Sequence, residues 1–461
     1  MKKLMIKTMV LKALTLAAFA LAVSPMLARP LQAVEVSFEE DKRLPLVYVN
    51  LAVKAGAVTD PEGESGITNF VGEMLLRGTR DKTKKEIDLE LDQMGARLEV
   101  ETREEALILR GAVLSSQLEP FLKLVLEIVT EPSFPEKEIG KLRKEIVSGL
   151  LEELGDDSSL EARHFSKFLF RDHPYGNPVL GKIGTIERLD RAKVLAQYEN
   201  IFHEKNFLIV GEGDAAEKTI QAWGDSIGKL RPSGDRKAAA VVGTPENAPE
   251  RRLEIVDKPD RTQTQIDVGQ IGVRMTDPDY FALYVGNHAF GGGSFSARLM
   301  TEIRVKRGWS YGAYSYFRPG LKPRSWIAHL FPAAKDAPAA LAETLHLIEQ
   351  LKKDGITSPE FEFAQRSLVN SAGFMYNTPQ KRVANTLLER TTDLPSGFME
   401  SYASRISALN REQVNAALKR FLHPEKLAMS VLGTASQLKE ALTKASGVKA
   451  PDVVVVPYTE E

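Results

Sequence analysis

Apolar positions along this chain switch between two spacings, and the switches mark out alternating strands and helices. Residues 46–53 alternate as a strand does, and the turn Asp60-Pro61-Glu62-Gly63 leads into a helical segment. There Ile67, Phe70, Val71 and Met74 recur at helical spacing and mark a buried face, while Asn69, Gly72 and Glu73 fall together on the opposite side. A charge-rich helix is predicted over 84–94, followed by strands at 97–102 and 106–113. Residues 121–129 and 137–154 are helical by spacing, with Pro132 and Pro135 between them. A further helix at 189–202 and a strand at 207–211 close the first half, so each helix has an apolar face to lay on a sheet.

The pattern then repeats. Leu189, Arg191, Val194, His203 and Gly213 recur at one constant offset as Leu409, Arg411, Val414, His423 and Gly433. Thr59-Asp60-Pro61, ahead of the first-half helix, is echoed by Thr276-Asp277-Pro278 ahead of a helix at 280–290. A duplicated unit follows: an α+β fold of two homologous domains, each a mostly antiparallel sheet with helices packed on it. The domains are expected at 34–232 and 251–447, joined by a Gly-, Pro- and Ser-rich linker at 233–250 and trailed by a tail at 448–461. The valines at 453–456 fit either a short strand or a linker.

In the second half, Phe295, Leu299 and Ile303 repeat every four residues, which predicts a helix from about Ser294 that stops at Gly308. Arg304 then lies in its last turn and Tyr311 opens the next strand. The Gly291-Gly292-Gly293 loop before it lacks the strand and the Lys-Ser/Thr of a phosphate-binding loop.

Composition narrows the chemistry. With 61 basic and 62 acidic residues there is no electrostatic case for nucleic acid. Cysteine is absent, which removes disulfides, thiolate ligands and cysteine nucleophiles. No two of the histidines stand three or four apart, so no helical zinc pair can be built from them, and His203 and His423 are expected to cap turns. No Gly-x-Ser-x-Gly elbow nominates a serine. Basic residues from Lys2 to Lys12 precede an apolar run at 13–28, which reads as a signal peptide over 1–33 cleaved after Ala28 or Ala33. The run is short for a bilayer span and contains Pro25, so the mature chain is expected in a periplasm without a membrane span.

Gly66 before the first-half helix and Met74-Leu75-Leu76-Arg77-Gly78-Thr79 after it resemble the zinc-binding segment of the insulinase/pitrilysin family, in its processing-peptidase-like branch. That family carries an inverted motif, His-x-x-Glu-His. In its register the two histidines fall on Asn69 and Glu73 and the glutamate base on Gly72, so all three are changed. The family's third ligand, a glutamate on a later helix, falls on Gly149, and Glu145 or Glu152 could replace it only by a shift of register. Asn69 and Glu73 alone offer too few oxygen ligands for a hard cation.

The resemblance also covers the loop from Tyr175 to Gly181 and a Gly-Gly loop followed by an Arg and a Tyr seven residues apart, which Arg304 and Tyr311 match. It implies that this chain binds no cofactor and that zinc resides in a partner with the intact motif, the two forming a heterodimer that acts on peptides. Arg304 would then hold substrate carbonyls and Tyr311 would donate to the oxyanion. Two alternatives stay open: a scaffold or peptide-binding homologue without a role in hydrolysis, and an independent peptidase built on Glu73, Glu145 or Glu152 with a distant histidine. Without the flanking match, Arg304 would serve the helix dipole and Tyr311 would pack on a strand.

Overall fold

A computed structural model describes residues 34–234, 242–293 and 295–461. The predicted signal segment, residues 235–241 of the predicted linker and Ser294 lie outside the described residues. The first half builds a sheet from β1 (Glu35–Glu40), β2 (Leu46–Val53), β3 (Arg97–Thr102), β4 (Leu107–Leu114) and β5 (Phe207–Gly213), in the order β1-β5-β2-β4-β3. The second uses β6 (Arg252–Asp257), β7 (Gln265–Ile271), β8 (Ser310–Phe317), β9 (Ser325–Pro332), β10 (Ala428–Gly433) and β11 (Val453–Pro457), in the order β11-β6-β10-β7-β9-β8. Among the described residues only β1 with β5, β10 with β6, and β11 with β6 run parallel. The two sheets therefore share one α+β topology strand for strand, and the valine-rich tail adds β11 to the second as an edge.

Helices α1 (Ile67–Leu75), α2 (Lys84–Met94), α3 (Leu118–Thr130), α4 (Glu136–Glu153), α5 (Asp157–Phe170), α6 (Arg191–Ile201) and α7 (Glu217–Leu230) belong to the first half. The second has α8 (Tyr280–Asn287), α9 (Ala337–Asp354), α10 (Ser358–Ser371), α11 (Pro379–Thr391), α12 (Arg411–Phe421) and α13 (Ala435–Ser446). The sequence repeat is a structural one. Asp190 caps α6 by accepting from the Lys193 N–H at 2.9 Å, and Asn410 caps α12 by accepting from Gln413 at 2.9 Å. The strands that follow, β5 and β10, are buried along their whole length, which is why they read as near-continuous apolar runs.

Each sheet has an inner face with its own apolar core. The outer faces are covered reciprocally. Helix α5 leaves the first half and lies on the outer face of the second sheet, with Phe165 and Leu169 against Ile271, Ile327 and Ala428. Helix α11 of the second half lies on the outer face of the first sheet, with Val383 and Leu387 against Ala52, Ile108, Leu208 and Val210. The offset that relates Gly213 to Gly433 also carries α5 onto α11, so the two halves grip each other by equivalent helices.

Two expectations change. The helix expected from about Ser294 begins only at Arg298 and passes into a π-helical segment, Met300–Lys306, which Gly308 closes at φ 67°. Phe295, counted with the buried stripe of Leu299 and Ile303, is instead exposed, because the chain has not yet entered the helix at that point.

Candidate functional site

Helix α1 starts where several devices converge. Gly66 sits at φ 92°, and a Cβ there would come within 2.6 Å of the Gly181 Cα, so both glycines are needed for the loop to close on the helix. The Asp60 carboxylate accepts from the Gly66 N–H at 2.7 Å and the Thr68 N–H at 3.0 Å. Burial pushes Asp60 up to about 6, against the pull of those hydrogen bonds. The Gln197 amide donates to the Thr68 hydroxyl at 2.9 Å and ties α1 to α6. At the far end, Gly78 adopts φ 147° and Thr79 is buried beside Glu127, which also pairs with Lys82 at 2.9 Å. The residues that frame the segment are thus a folding device in their own right.

The helix between them is closed. Asn69, predicted on an open polar face, is buried, and Gly72 is packed against the sheet: a Cβ there would lie 2.8 Å from Leu107 Cδ1 and 2.9 Å from Val100 Cγ1. Helix α1 is held between strands and helices on nearly all sides, so of the second face Asn69 and Gly72 are shut away from solvent. Glu73 alone is half-exposed; burial raises its carboxyl, Arg77 opposes the rise and Glu145 adds to it. Arg77 reaches Glu145 at 2.6 Å and Glu138 at 3.7 Å, and its hydrogen bond holds the Glu145 carboxyl below the usual range. A guanidinium therefore already compensates the carboxylates of this region. Gly149 is exposed, and a side chain there would meet nothing within 4 Å. No cluster of three or more histidine, aspartate or glutamate side chains among the described residues is arranged to hold a metal ion. Zinc needs a tetrahedron rich in imidazole or thiolate, and these residues do not fit it.

Arg304 and Tyr311 are brought together. The π-helical segment carries Arg304 into its last turn, and the Gly308 N–H donates to the Arg304 carbonyl at 2.9 Å before the chain turns into β8. The β8–β9 pairing is irregular between Ser310 and Ala313, where the Ser310 hydroxyl donates to the Gly312 carbonyl at 2.6 Å. That irregularity turns Tyr311 outward, leaving it 74% exposed. The guanidinium carbon of Arg304 lies 4.2 Å from the centre of the Tyr311 ring and 4.7 Å from that of Phe295, itself 59% exposed. No carboxylate pairs with Arg304 among the described residues, whereas its neighbours are engaged: Arg298 with Glu360 at 2.8 Å, and Arg307 with Glu302 at 2.8 Å. Arg304 thus lies part-buried against two exposed rings, and it forms one ledge with Tyr311 and Phe295.

The glycine loop that precedes the ledge has a packing reason. A Cβ on Gly291 would meet the Ser315 N at 2.6 Å, and Asn287 ties this layer together by accepting from the Ser315 hydroxyl at 2.7 Å and the Trp326 indole at 2.8 Å. Phe295, Asp60, Gly181 and Asn287 carry no signal in the sequence for these roles beyond the turn residues around them. His203 is buried in a turn against Ser233 and Asn206, and His423 hydrogen-bonds Glu425 at 3.1 Å.

Residues 35–182 match the family model described as Insulinase (Peptidase family M16), and residues 188–368 match the one described as Peptidase M16 inactive domain. The chain is 21% identical over 401 residues to a Helicobacter pylori protein named Non-peptidase homolog YmxG, across 87% of this chain and 91% of that protein. It is 27% identical over 282 residues to a Rickettsia bellii protein named Uncharacterized zinc protease, across 59% of this chain and 65% of that protein, just short of two thirds of its length. Among solved structures, that of a peptidase M16 inactive domain from Pseudomonas fluorescens is similar with a TM-score of 0.81 and 25% identity, covering 87% of this chain and 96% of that one. Matched in both halves by models of one family, and over most of its length by a solved structure described in the same terms, this chain belongs to the insulinase family, peptidase family M16, with an N-terminal and an inactive C-terminal domain.

Proposed function

We propose that this chain is the non-catalytic, substrate-binding subunit of a periplasmic, heterodimeric metallopeptidase, and that a homologue with an intact His-x-x-Glu-His motif supplies the hydrolytic centre. Arg304 and Tyr311 are its contribution. The Arg304 edge holds a peptide carbonyl in place, and the Tyr311 hydroxyl donates to the oxyanion that forms when water adds to that carbonyl. The observation that carries this reading is the contrast within one chain: the helix that would hold a metal is packed shut around Gly72, while Tyr311 stands exposed beside a part-buried Arg304 that pairs with no carboxylate among the described residues. The name of the Helicobacter pylori relative agrees with a chain that does not cleave peptides by itself.

The test is cleavage of a quenched, unstructured peptide by the purified chain alone and mixed with a homologue that carries the intact motif, taken from the same cell. Activity only in the mixture, reduced at least ~10-fold in turnover by Arg304→Ala or Tyr311→Phe, is the expected result. A mixture no more active than the homologue alone would turn the assignment toward a scaffold.

A further inference from the structure

The two reciprocal grips between the halves are built on different chemistry. Under α11, the Arg382 guanidinium lies against Glu212, with hydrogen bonds at 2.9 and 3.1 Å from its Nε, and within 3.3 Å of Asp41. Under α5, the second sheet presents a row of polar side chains in register across four strands: Glu254 on β6 opposite Ser430 on β10, Ser430 opposite Asp267 on β7, and Asp267 opposite His329 on β9. Helix α5 covers this row with Glu161 and His164. Glu161 has no exposed surface, and its carboxyl oxygens make no hydrogen bond of good geometry, the Ser430 hydroxyl on β10 being the one donor that favours its charged form; the His164 Nε2 is also buried and unpaired.

Three carboxyl groups therefore meet in one layer between the halves. The groups that face them are few. The Ser430 hydroxyl lies 3.4 Å from Glu254, His164 lies 4.0 Å from the same carboxyl and is kept neutral-leaning by its burial, and His329 is engaged by Asp267 at 2.7 Å. From the surrounding elements, Lys167 and Arg252 act weakly in favour of the charged form of Glu254 and Glu460 acts against it, while Tyr316 on β8 feels the charge of Asp267. Arg252 itself is turned to the Phe168 carbonyl at 2.7 Å, and Lys167 to Glu460 at 3.1 Å. A buried carboxylate without a pairing cation is costly, whereas a buried carboxylic acid is far less so. Glu161, fully buried beside two other carboxyl groups and paired with no cation among the described residues, is accordingly favoured in its protonated form, against the pull of the Ser430 hydroxyl.

We propose that this cluster is a proton-operated latch between the two halves: α5 stays seated on the second sheet while the cluster carries protons and loosens as the protons leave. The inference stands independently of the subunit reading, because it concerns how the halves hold each other. Burial and the neighbouring Asp267 and Glu254 push Glu161 well above the ordinary carboxylate range, and burial pushes Glu254 from 4.5 up to about 7. A seated form that binds protons more tightly than the released form is favoured below the ordinary pKa and loses that advantage as pH rises through the raised one. The window therefore runs from about 4.5 to 7 for Glu254, and Glu161, raised for the same reason, acts in the same direction.

The test is amide hydrogen exchange on the purified chain at pH 5 and pH 8, corrected for intrinsic exchange, comparing α5 with α11. Protection of α5 should fall on the order of 100-fold more than protection of α11 between the two conditions. Glu161→Gln combined with Glu254→Gln should keep α5 protected at pH 8, and Glu254→Gln alone, at the rim of the cluster, should weaken the dependence if the double variant does not fold. Equal protection of α5 at both pH values in the unaltered chain, or an undiminished dependence in the Gln variants, would overturn the latch.

Discussion

Replacing Gly72 and Gly149 by alanine, one at a time, tests whether the metal face of α1 is closed. Both glycines lie inside helices, and the resemblance in sequence would put the glutamate base at one and the third ligand at the other. In an open helical site, Gly→Ala gains about 1 kcal/mol from helix propensity. Gly149 meets that condition, since a methyl there touches nothing within 4 Å, so Gly149→Ala should stabilise by about 1 kcal/mol. At Gly72 the same methyl would sit 2.8 Å from Leu107 Cδ1 and 2.9 Å from Val100 Cγ1, closer than carbon atoms pack. Leu107 is fully buried and cannot swing aside freely, so overpacking of ~1–3 kcal/mol opposes the gain and leaves Gly72→Ala neutral to ~2 kcal/mol destabilising. The difference between the variants, ~1–3 kcal/mol, is readable by urea titration monitored through Trp223, which reports on the first half from its hydrogen bond to the Leu122 carbonyl at 2.9 Å. If Gly72→Ala proves as stabilising as Gly149→Ala, the face has room for a side chain and the reasoning that excludes a glutamate base there fails.

At the α11 grip, Arg382→Met strands the buried Glu212 carboxylate and should cost ~3–5 kcal/mol in the same titration, with Glu212→Gln in the double variant restoring most of it. A double variant no better than the single one would remove charge pairing as the reason for this contact. Asp60→Ala deletes the acceptor for two N–H groups at the start of α1 and should destabilise at every pH. Because the folded state holds Asp60 up at about 6 against an ordinary 3.8, its contribution is full below 3.8 and declines through 6, so the loss should be larger at pH 4 than at pH 8, by about 3 kcal/mol at most. Thermal unfolding at both values reads the sign.

The inner faces were legible in the sequence because burial there imposes a period. Ile67, Phe70, Val71 and Met74 all lie in the first core, and the offset relating Gly213 to Gly433 proved to relate whole strands and capped helices. The frame of α1 was legible through the family resemblance, and the structure gives it a physical reason: Gly66 and Gly78 adopt positive φ, and the Thr79 hydroxyl accepts from the Lys82 N–H at 2.9 Å. What escaped was set by partners distant along the chain. Helix α5 buries Glu161 and His164 as well as Phe165, so its pattern is not that of a helix with one wet face; its partner strands come roughly 100 to 270 residues later. The parallel pairings of β1 and β11 are equally long-range. Asn69 looked exposed because its own helix gives it a polar neighbourhood, and only the approach of other elements closes that side.

The duplication also explains where the two halves are free to differ. A strand pinned by an apolar inner face cannot slip by one residue without turning that face to the wrong side, so Leu253, Ile255, Ile266 and Val268 are held in place much as Val49 and Leu51 are. The alternate positions answer instead to the helix laid on the outer face, α11 in one half and α5 in the other, and so follow a different partner. In the first sheet the row equivalent to Glu254, Ser430, Asp267 and His329 is Ser37, Val210, Asn50 and Arg110, in the same cross-strand register. There Arg110 carries a permanent cation, hydrogen-bonded to Glu101 at 2.7 Å. Its counterpart, His329, carries a charge only when protonated, and its row is crossed by acids. One topology thus holds a row of fixed charge in one half and a row of titratable charge in the other, at positions the packing of the inner core never tests. Side-chain character accordingly diverges on outer faces and edges, the Arg304–Tyr311 contact at the start of edge strand β8 among them, while the apolar interiors of the two halves keep the same plan.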